Sequence, residues 1–256
     1  MKKILSQANR GVLKKINKTD LKSYLIYSKI EIARQENVAR LQMELPGLQL
    51  VEAIYPSKQK VPFLQAAISL SKVRTGYALL PGEIGCLLSH RLVWQQIVKS
   101  ANNDKEHYLI LESDSYIKDF EMLKNFDREL LEQYDLFFWG AWDGHMQLFK
   151  SSIKKLMGGY YLGTPFIKTI YCTYGYSLNK KTASLLLERT GKFNYPVDQY
   201  KRFMQQDDCS IGGIVPELIS TTGAMSNIRG KRKWEIVNQL YLMLLDLKNY
   251  LICLFQ

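Results

Sequence analysis

Leu109-Ile110-Leu111-Glu112-Ser113-Asp114-Ser115 begins as a continuous apolar run and ends in two acids around a serine. A short apolar run bounded by polar residues reads as a buried strand, here placed over 107–112. In open parallel sheets, ligands bind beyond the carboxyl ends of the strands. Residues two apart on an extended segment point the same way, so Glu112 and Asp114 either face one ligand or close a polar turn. Hard oxygen donors of this kind suit Mg²⁺ or Mn²⁺, and either ion would neutralise a diphosphate.

Around this strand the chain alternates strand and helix. Residues 21–27 (LKSYLIY) read as a strand, 29–45 as a helix stopped by Pro46-Gly47, and 48–54 as a second strand. Residues 57–80 read as loop with a short helix. Pro81-Gly82-Glu83 opens a strong helix running to about Lys99, with an acid in its first turn to complement the helix dipole. After the central strand come a helix near 119–133, a strand at 134–140, a Gly/Tyr-rich passage at 158–165, a strand at 169–178 and a helix at 180–190. This alternation predicts an α/β fold, a mostly parallel central sheet flanked by helices. One domain covers 21–230, preceded by a basic N-terminal leader at 1–20.

The formal net charge of +11 is concentrated at two places. Residues 1–29 carry eight Lys/Arg against one acid, and RGKRK at 229–233 adds four more, which accounts for the whole surplus. Nucleic-acid grooves spread basic residues over the folded body among aromatics, so nucleic acid is not an expected partner. Basic flanks on a neutral body fit an anionic membrane surface, or serve as solubilising tails.

Residues 231–256 predict an amphipathic C-terminal helix, with Glu235, Asn238, Gln239, Asp246 and Asn249 on one side. Asp246 and Lys248 interrupt its interior. It reads as a helix lying in a bilayer interface, residues 229–255 forming the membrane contact, or as a helix packed on the domain or on a second copy. Cys86, Cys172, Cys209 and Cys253 form no CxxC pair, and residues 4–20 lack the apolar region of a signal peptide. The expectation is a cytoplasmic protein, peripheral on the inner face of the cytoplasmic membrane.

A second stretch carries the more specific signal. Gly82-Glu83-Ile84-Gly85-Cys86-Leu87-Leu88-Ser89-His90, followed by Trp94, resembles the GExGCxxSHxxxW signature of glycosyltransferase family 25, the family of lipooligosaccharide biosynthesis enzymes. In the family's order follow Glu112-Ser113-Asp114 (Glu-Asp-Asp in the pattern), Gly175-Tyr176-Ser177-Leu178, Pro196-Val197-Asp198 and Ser226-Asn227-Ile228. The resemblance spans roughly 21–230. It implies a GT-A-like fold and inverting transfer of a hexose, galactose or glucose, from a UDP-sugar donor. The implied acceptor is a lipid-linked oligosaccharide of the lipooligosaccharide or lipopolysaccharide type.

Such a reaction needs positive charge at the leaving diphosphate and a base within reach of the acceptor hydroxyl. Asp114 is the first candidate for the metal or diphosphate, Glu112 the second or else a ribose partner; Mn²⁺ or Mg²⁺ is the implied cofactor. Asp198 ranks first as general base, with Asp207 and Asp208 behind it, although an acid after Pro-Val also caps helices. Glu83 and His90 lie seven apart on one helix face; Glu83 is placed to bind a sugar hydroxyl, His90 to bind substrate or to sit in the core. Gly175 belongs to the same substrate-binding set. Trp139, Trp142 and Asp143 follow a strand and could line the sugar site, and Trp94 reads as core. Ser113 departs from the family pattern because a hydroxyl cannot supply a carboxylate's charge. It gives the rival reading, a non-catalytic homologue that binds nucleotide-sugar or glycan.

Overall fold

The computed structural model describes residues 21–141, 144–223 and 236–255, the last segment's side chains from Leu244 onward. Strand β1 (Lys22–Tyr27) leads through a 3-10 turn at Ile32–Arg34 into α1 (Gln35–Glu44) and β2 (Leu48–Glu52). Helices α2 (Leu64–Thr75) and α3 (Pro81–Ser100) precede β3 (Tyr108–Glu112) and β4 (Ser115–Ile117). Short helices α4 (Phe120–Lys124) and α5 (Arg128–Leu131) lead to β5 (Leu136–Phe138). Then come β6 (Lys154–Lys155), β7 (Tyr161–Gly163), β8 (Gly175–Leu178), α6 (Lys180–Arg189), β9 (Ile211–Val215), β10 (Ile219–Thr221) and α7 (Ile236–Phe255).

Among the described residues, eight strands form one sheet in the order β2-β1-β3-β8-β5-β9-β7-β6, while β4 and β10 pair separately. β1 is parallel to β2 and β3, and β5 is parallel to β9. β8 is antiparallel to both β3 and β5, and β7 is antiparallel to both β9 and β6. Six of the eight strands therefore run one way and two oppose them. This is the mostly parallel, helix-flanked α/β sheet that the alternation predicts, and it is consistent with a GT-A-like architecture.

The departures are local and have local causes. Residues 29–45 do not form one helix: the chain makes a 3-10 turn first, and α1 begins only at Gln35. Residues 57–80 contain a full 12-residue helix, hidden in the sequence because small residues, Ala67 and Ser71, occupy its buried positions. The segment 119–133 breaks into two helices because Asp119 and Asp127 each cap a separate start, accepting from Met122 N and Glu129 N at 2.8 Å. Of 169–178 only Gly175–Leu178 is strand.

The core is strongly aromatic at the centre of the sheet. Trp139, 0% exposed, donates its indole N–H to Ser177 Oγ at 2.6 Å and meets Phe126 edge-on at 4.9 Å. Trp139 is therefore core and does not line a sugar site. Helix α3 lies against β1 and β2 and packs along α6, where Arg91 donates to Leu187 O and Thr190 Oγ1 at 2.6 Å each. The helix α7 expected at the C-terminus is present over Ile236–Phe255, and no helix of the described residues is long and apolar enough to cross a membrane.

Candidate active site

The carboxyl ends of β1, β2 and β3 open onto one cleft. Its larger chamber, about 540 Å³, has apolar walls from Ile26, Ala53, Ile54 and Pro56, while Glu31, Arg34, Glu112 and Asp114 are its acidic and basic groups. A second chamber of about 270 Å³ is bounded by Tyr174, Pro196 and Asp198. Both are lined by Cys86, Glu112, Asp114 and Thr221, so the two acids of the central stretch stand where the chambers meet. The larger volume falls within the range of small-molecule sites.

A polar turn holds those acids in place. Asn37 of α1 donates to both Ser113 O and Ser115 O at 2.9 Å. Glu112 N donates to Ser115 Oγ at 2.8 Å, and that hydroxyl donates onward to Tyr174 O. Ser113 is buried and turned to one side, donating to Glu31 Oε2 and accepting from Arg34 Nη1, each at 3.0 Å. The second nitrogen of the same guanidinium, Nη2, sits 3.0 Å from Asp114 Oδ2.

Helix α3 reaches this turn from behind, and several of its signature residues are engaged in contacts within the protein. Glu83 accepts from Leu80 N and from the Tyr77 hydroxyl at 2.9 Å, capping its own helix. Gly85 has no room for a side chain: a Cβ there would lie 2.4 Å from Ile54 O. Ser89 ties the same segment by accepting from Ile54 N at 2.8 Å while donating to Gly85 O at 2.7 Å. Trp94 donates to the Tyr176 hydroxyl at 2.9 Å, which lies 2.8 Å from His90 Nδ1. His90 Nε2 lies 3.2 Å from Glu112 Oε1, the oxygen that also accepts from the Thr173 hydroxyl. An ionised carboxylate only accepts, so His90 carries its proton on Nε2 and donates it to Glu112.

These contacts separate the two acids chemically. Burial pushes Glu112 upward, but the His90 and Thr173 hydrogen bonds and the charge of Arg34 outweigh it, leaving Glu112 below the usual range. Burial and the charge of Glu112 raise Asp114 to about 6, against the pull of Arg34. Burial also lifts the Cys86 thiol well above its ordinary value, and Tyr55 is raised by burial and by its hydrogen bond to Glu31. The pair is thus one carboxyl held below the ordinary range beside one held above it.

A sequence model of glycosyltransferase family 25, described as an LPS biosynthesis protein family, matches residues 21–201. The chain belongs to glycosyltransferase family 25. In a search of curated proteins, none matched the sequence significantly. Membership in this family makes the chain a glycosyltransferase and implies a nucleotide-sugar donor and a glycan acceptor.

Within this family 25 member, the candidate residues sort cleanly. Glu112, Asp114 and Asp198 are brought together around the smaller chamber, with Pro196 and Val197 of the Pro-Val-Asp element beside them. Glu83 also borders it, yet is 3% exposed with its carboxylate engaged in the cap; His90, buried behind Glu112, borders the larger chamber. Gly175 borders neither chamber: β8 passes under Ile219, whose side chain would lie 2.6 Å from a Cβ at that position. Asp208 is held by Arg189, with Nη2 at 2.9 Å from Oδ1, and Asp207 is exposed; neither reaches the cleft. Trp142, Asp143 and Ser226-Asn227-Ile228 lie outside the described residues.

Glu31, Arg34 and Thr173 were not singled out by the sequence. Arg34 falls within a segment whose apolar spacing reads as plain helix, and nothing in the composition marks it.

Cys86, His90 and Glu112 place potential metal-ligating atoms within 4.8 Å of one another. In this cluster His90 Nε2 and Glu112 Oε1 already meet each other at 3.2 Å, and the soft Cys86 sulfur is a poor match for Mg²⁺ or Mn²⁺. The donor set that suits a hard ion lies on the cleft side: Asp114 Oδ1 is buried with no hydrogen-bond partner, and Glu112 stands beside it.

Proposed function

We propose that the protein transfers a hexose, galactose or glucose, from a UDP-sugar to a lipooligosaccharide or lipopolysaccharide acceptor, with inversion at the anomeric carbon. The observation that carries this reading is the convergence of Glu112, Asp114 and Asp198 on one chamber beside a larger, apolar-walled one. In it, uridine occupies the larger chamber, the diphosphate lies at the junction, and the hexose and acceptor hydroxyl meet in the smaller one. Asp198 takes the proton of the attacking hydroxyl, and Glu112, held ionised, orients a donor hydroxyl. Asp114 Oδ1 and Glu112 would hold Mn²⁺ or Mg²⁺, which would neutralise charge on the leaving diphosphate.

The test is transfer from labelled UDP-galactose and UDP-glucose to a lipooligosaccharide acceptor. Asp198→Asn should lower kcat about a hundredfold or more while leaving donor affinity nearly unchanged. Donor binding without transfer by the wild-type protein would favour the non-catalytic reading that Ser113 raises.

The same proposal places the enzyme on an anionic membrane surface at the cytoplasmic face, where a lipid-linked acceptor lies. Its support is the orientation of α7. Asn249 and Cys253 are buried against the body, and Asp246 accepts from Gln147 Nε2 at 3.2 Å through its carbonyl and pairs with His145 at 3.3 Å. The apolar stripe Leu244, Leu247, Leu251 and Phe255 is exposed, from 45% to 83%, and in sequence the helix follows RGKRK. An outward apolar stripe beside a basic run fits an acidic lipid interface. Co-sedimentation with phosphatidylglycerol vesicles tests this, and equal binding by neutral and acidic vesicles would count against it.

A further inference from the structure

We propose that Arg34 is the diphosphate-binding residue of the cleft, and that Ser113 keeps its charge available so that the nucleotide binds even before Asp114 and Glu112 hold a divalent cation, which is then needed for transfer rather than for binding. The inference rests on the donor reading above and deepens it.

Among the described residues lining the two chambers, Arg34 is the one lysine or arginine. An anionic group bound there has this guanidinium as its protein-borne positive charge. The side chain is fixed before any ligand arrives: Nη1 donates to Ser113 Oγ at 3.0 Å and lies 3.6 Å from Glu31 Oε1, and Nη2 reaches Asp114 Oδ2 at 3.0 Å. These contacts do not exhaust five N–H donors, and the residue still borders the larger chamber at 14% side-chain exposure. A planar fork held on one edge presents the other to phosphate oxygens in the bidentate geometry that arginine favours.

The three residues around the guanidinium explain what the serine does. Glu31 and Asp114 offer carboxyl groups, whereas Ser113 offers a hydroxyl, accepting from Arg34 and donating to Glu31. A carboxylate in its place would add one more acid around a guanidinium that Glu31, Asp114 and Glu112 already face. It would neutralise Arg34 further and repel an incoming phosphate. Serine fixes the guanidinium without cancelling it.

Full-length protein titrated calorimetrically with UDP, uridine and inorganic pyrophosphate, in EDTA and in Mn²⁺, tests this. In EDTA the wild type should bind UDP at least roughly tenfold more tightly than uridine, the margin expected of a charge-assisted contact. Arg34→Met should erase that margin and weaken pyrophosphate binding while leaving uridine affinity intact; Arg34→Lys should restore part of it. Ser113→Asp should lower UDP affinity in EDTA and make binding depend on Mn²⁺. A misfolded variant would lose uridine as well, which separates a structural effect from a lost phosphate contact.

Wild-type discrimination between UDP and uridine that survives Arg34→Met, or that appears only with Mn²⁺, overturns the proposal while the donor reading stands. If neither UDP nor uridine binds under either condition, the donor reading fails. Pyrophosphate then decides for Arg34: binding sensitive to Arg34→Met upholds the anion site, and its absence or insensitivity overturns it.

Discussion

Helices α3 and α7 are each 20 residues long, and they use their polar residues in different ways. In α3, Glu83, Ser89 and His90 are buried, each with a partner that fixes a neighbouring segment, and Trp94 completes the set. In α7, Asp246 and Asn249 lie on the side turned to the body, and the exposed residues form an apolar stripe of Leu244, Leu247, Tyr250, Leu251 and Phe255 with Lys248 set into it. Burying polar groups is affordable only where every one is hydrogen-bonded, which α3 achieves across several strands and loops. The lesson is that an amphipathic pattern does not by itself say which side faces the protein. In α3 the inward polar groups are the ones with fixed partners.

The sharpest attempt to break this comparison is removal of a large α3 side chain. Trp94→Ala should destabilise the fold by roughly 3–5 kcal/mol in urea unfolding, since it opens a cavity and strips the Tyr176 hydroxyl of a donor. Next in size is Gly85→Ala, which forces a methyl toward Ile54 O and should cost about 2 kcal/mol, read as a lower melting temperature.

A smaller, pH-dependent effect is expected for His90→Phe. Glu112 has a depressed pKa in the folded protein, so its stabilising contribution is complete above the ordinary value of 4.5 and disappears as pH falls through the lower folded value. Without His90 that contribution shrinks. The stability gap between wild type and variant should therefore narrow as the solution is acidified below about pH 4.

Smallest in stability, and opposite in kind, is the pair Leu247→Glu and Leu251→Glu on α7. Unfolding free energy should change by less than about 0.5 kcal/mol, because both side chains already face solvent. Binding to acidic vesicles should fall sharply. Unchanged vesicle binding together with a large loss of stability would mean that the exposed stripe is packed in solution, and the contrast with α3 would collapse.

Much of the fold was legible in the residues. The apolar run 109–111, the Pro-Gly-Glu start of α3 and the strands beside Tyr27 and Glu52 carry strong local signals. Strand β9 did not, because Gly212 and Gly213 interrupt its pattern, and β6 and β7 are too short for a period to show. At the site, Glu112, Asp114 and Asp198 followed from motif order. The pairing of Asp208 with Arg189 could not be read in advance because folding brings the two together, and Arg34 was missed because its contact with Ser113 spans 79 residues. Ser113 itself turned out to be an orienting hydroxyl between Glu31 and Arg34, a role no local pattern discloses.

The placement of β8 has a consequence for biosynthesis. This strand lies between β3 and β5, and its Tyr176 hydroxyl receives Trp94 and meets His90. A nascent chain ending before residue 175 can form β1, β2 and β3 but leaves an unpaired edge on β3 and the histidine without its tyrosine. Such an edge is adhesive. Until β8 pairs, the growing chain carries this open edge beside Glu112 and Asp114, and the cleft is complete only once Asp198 and Thr221 have followed.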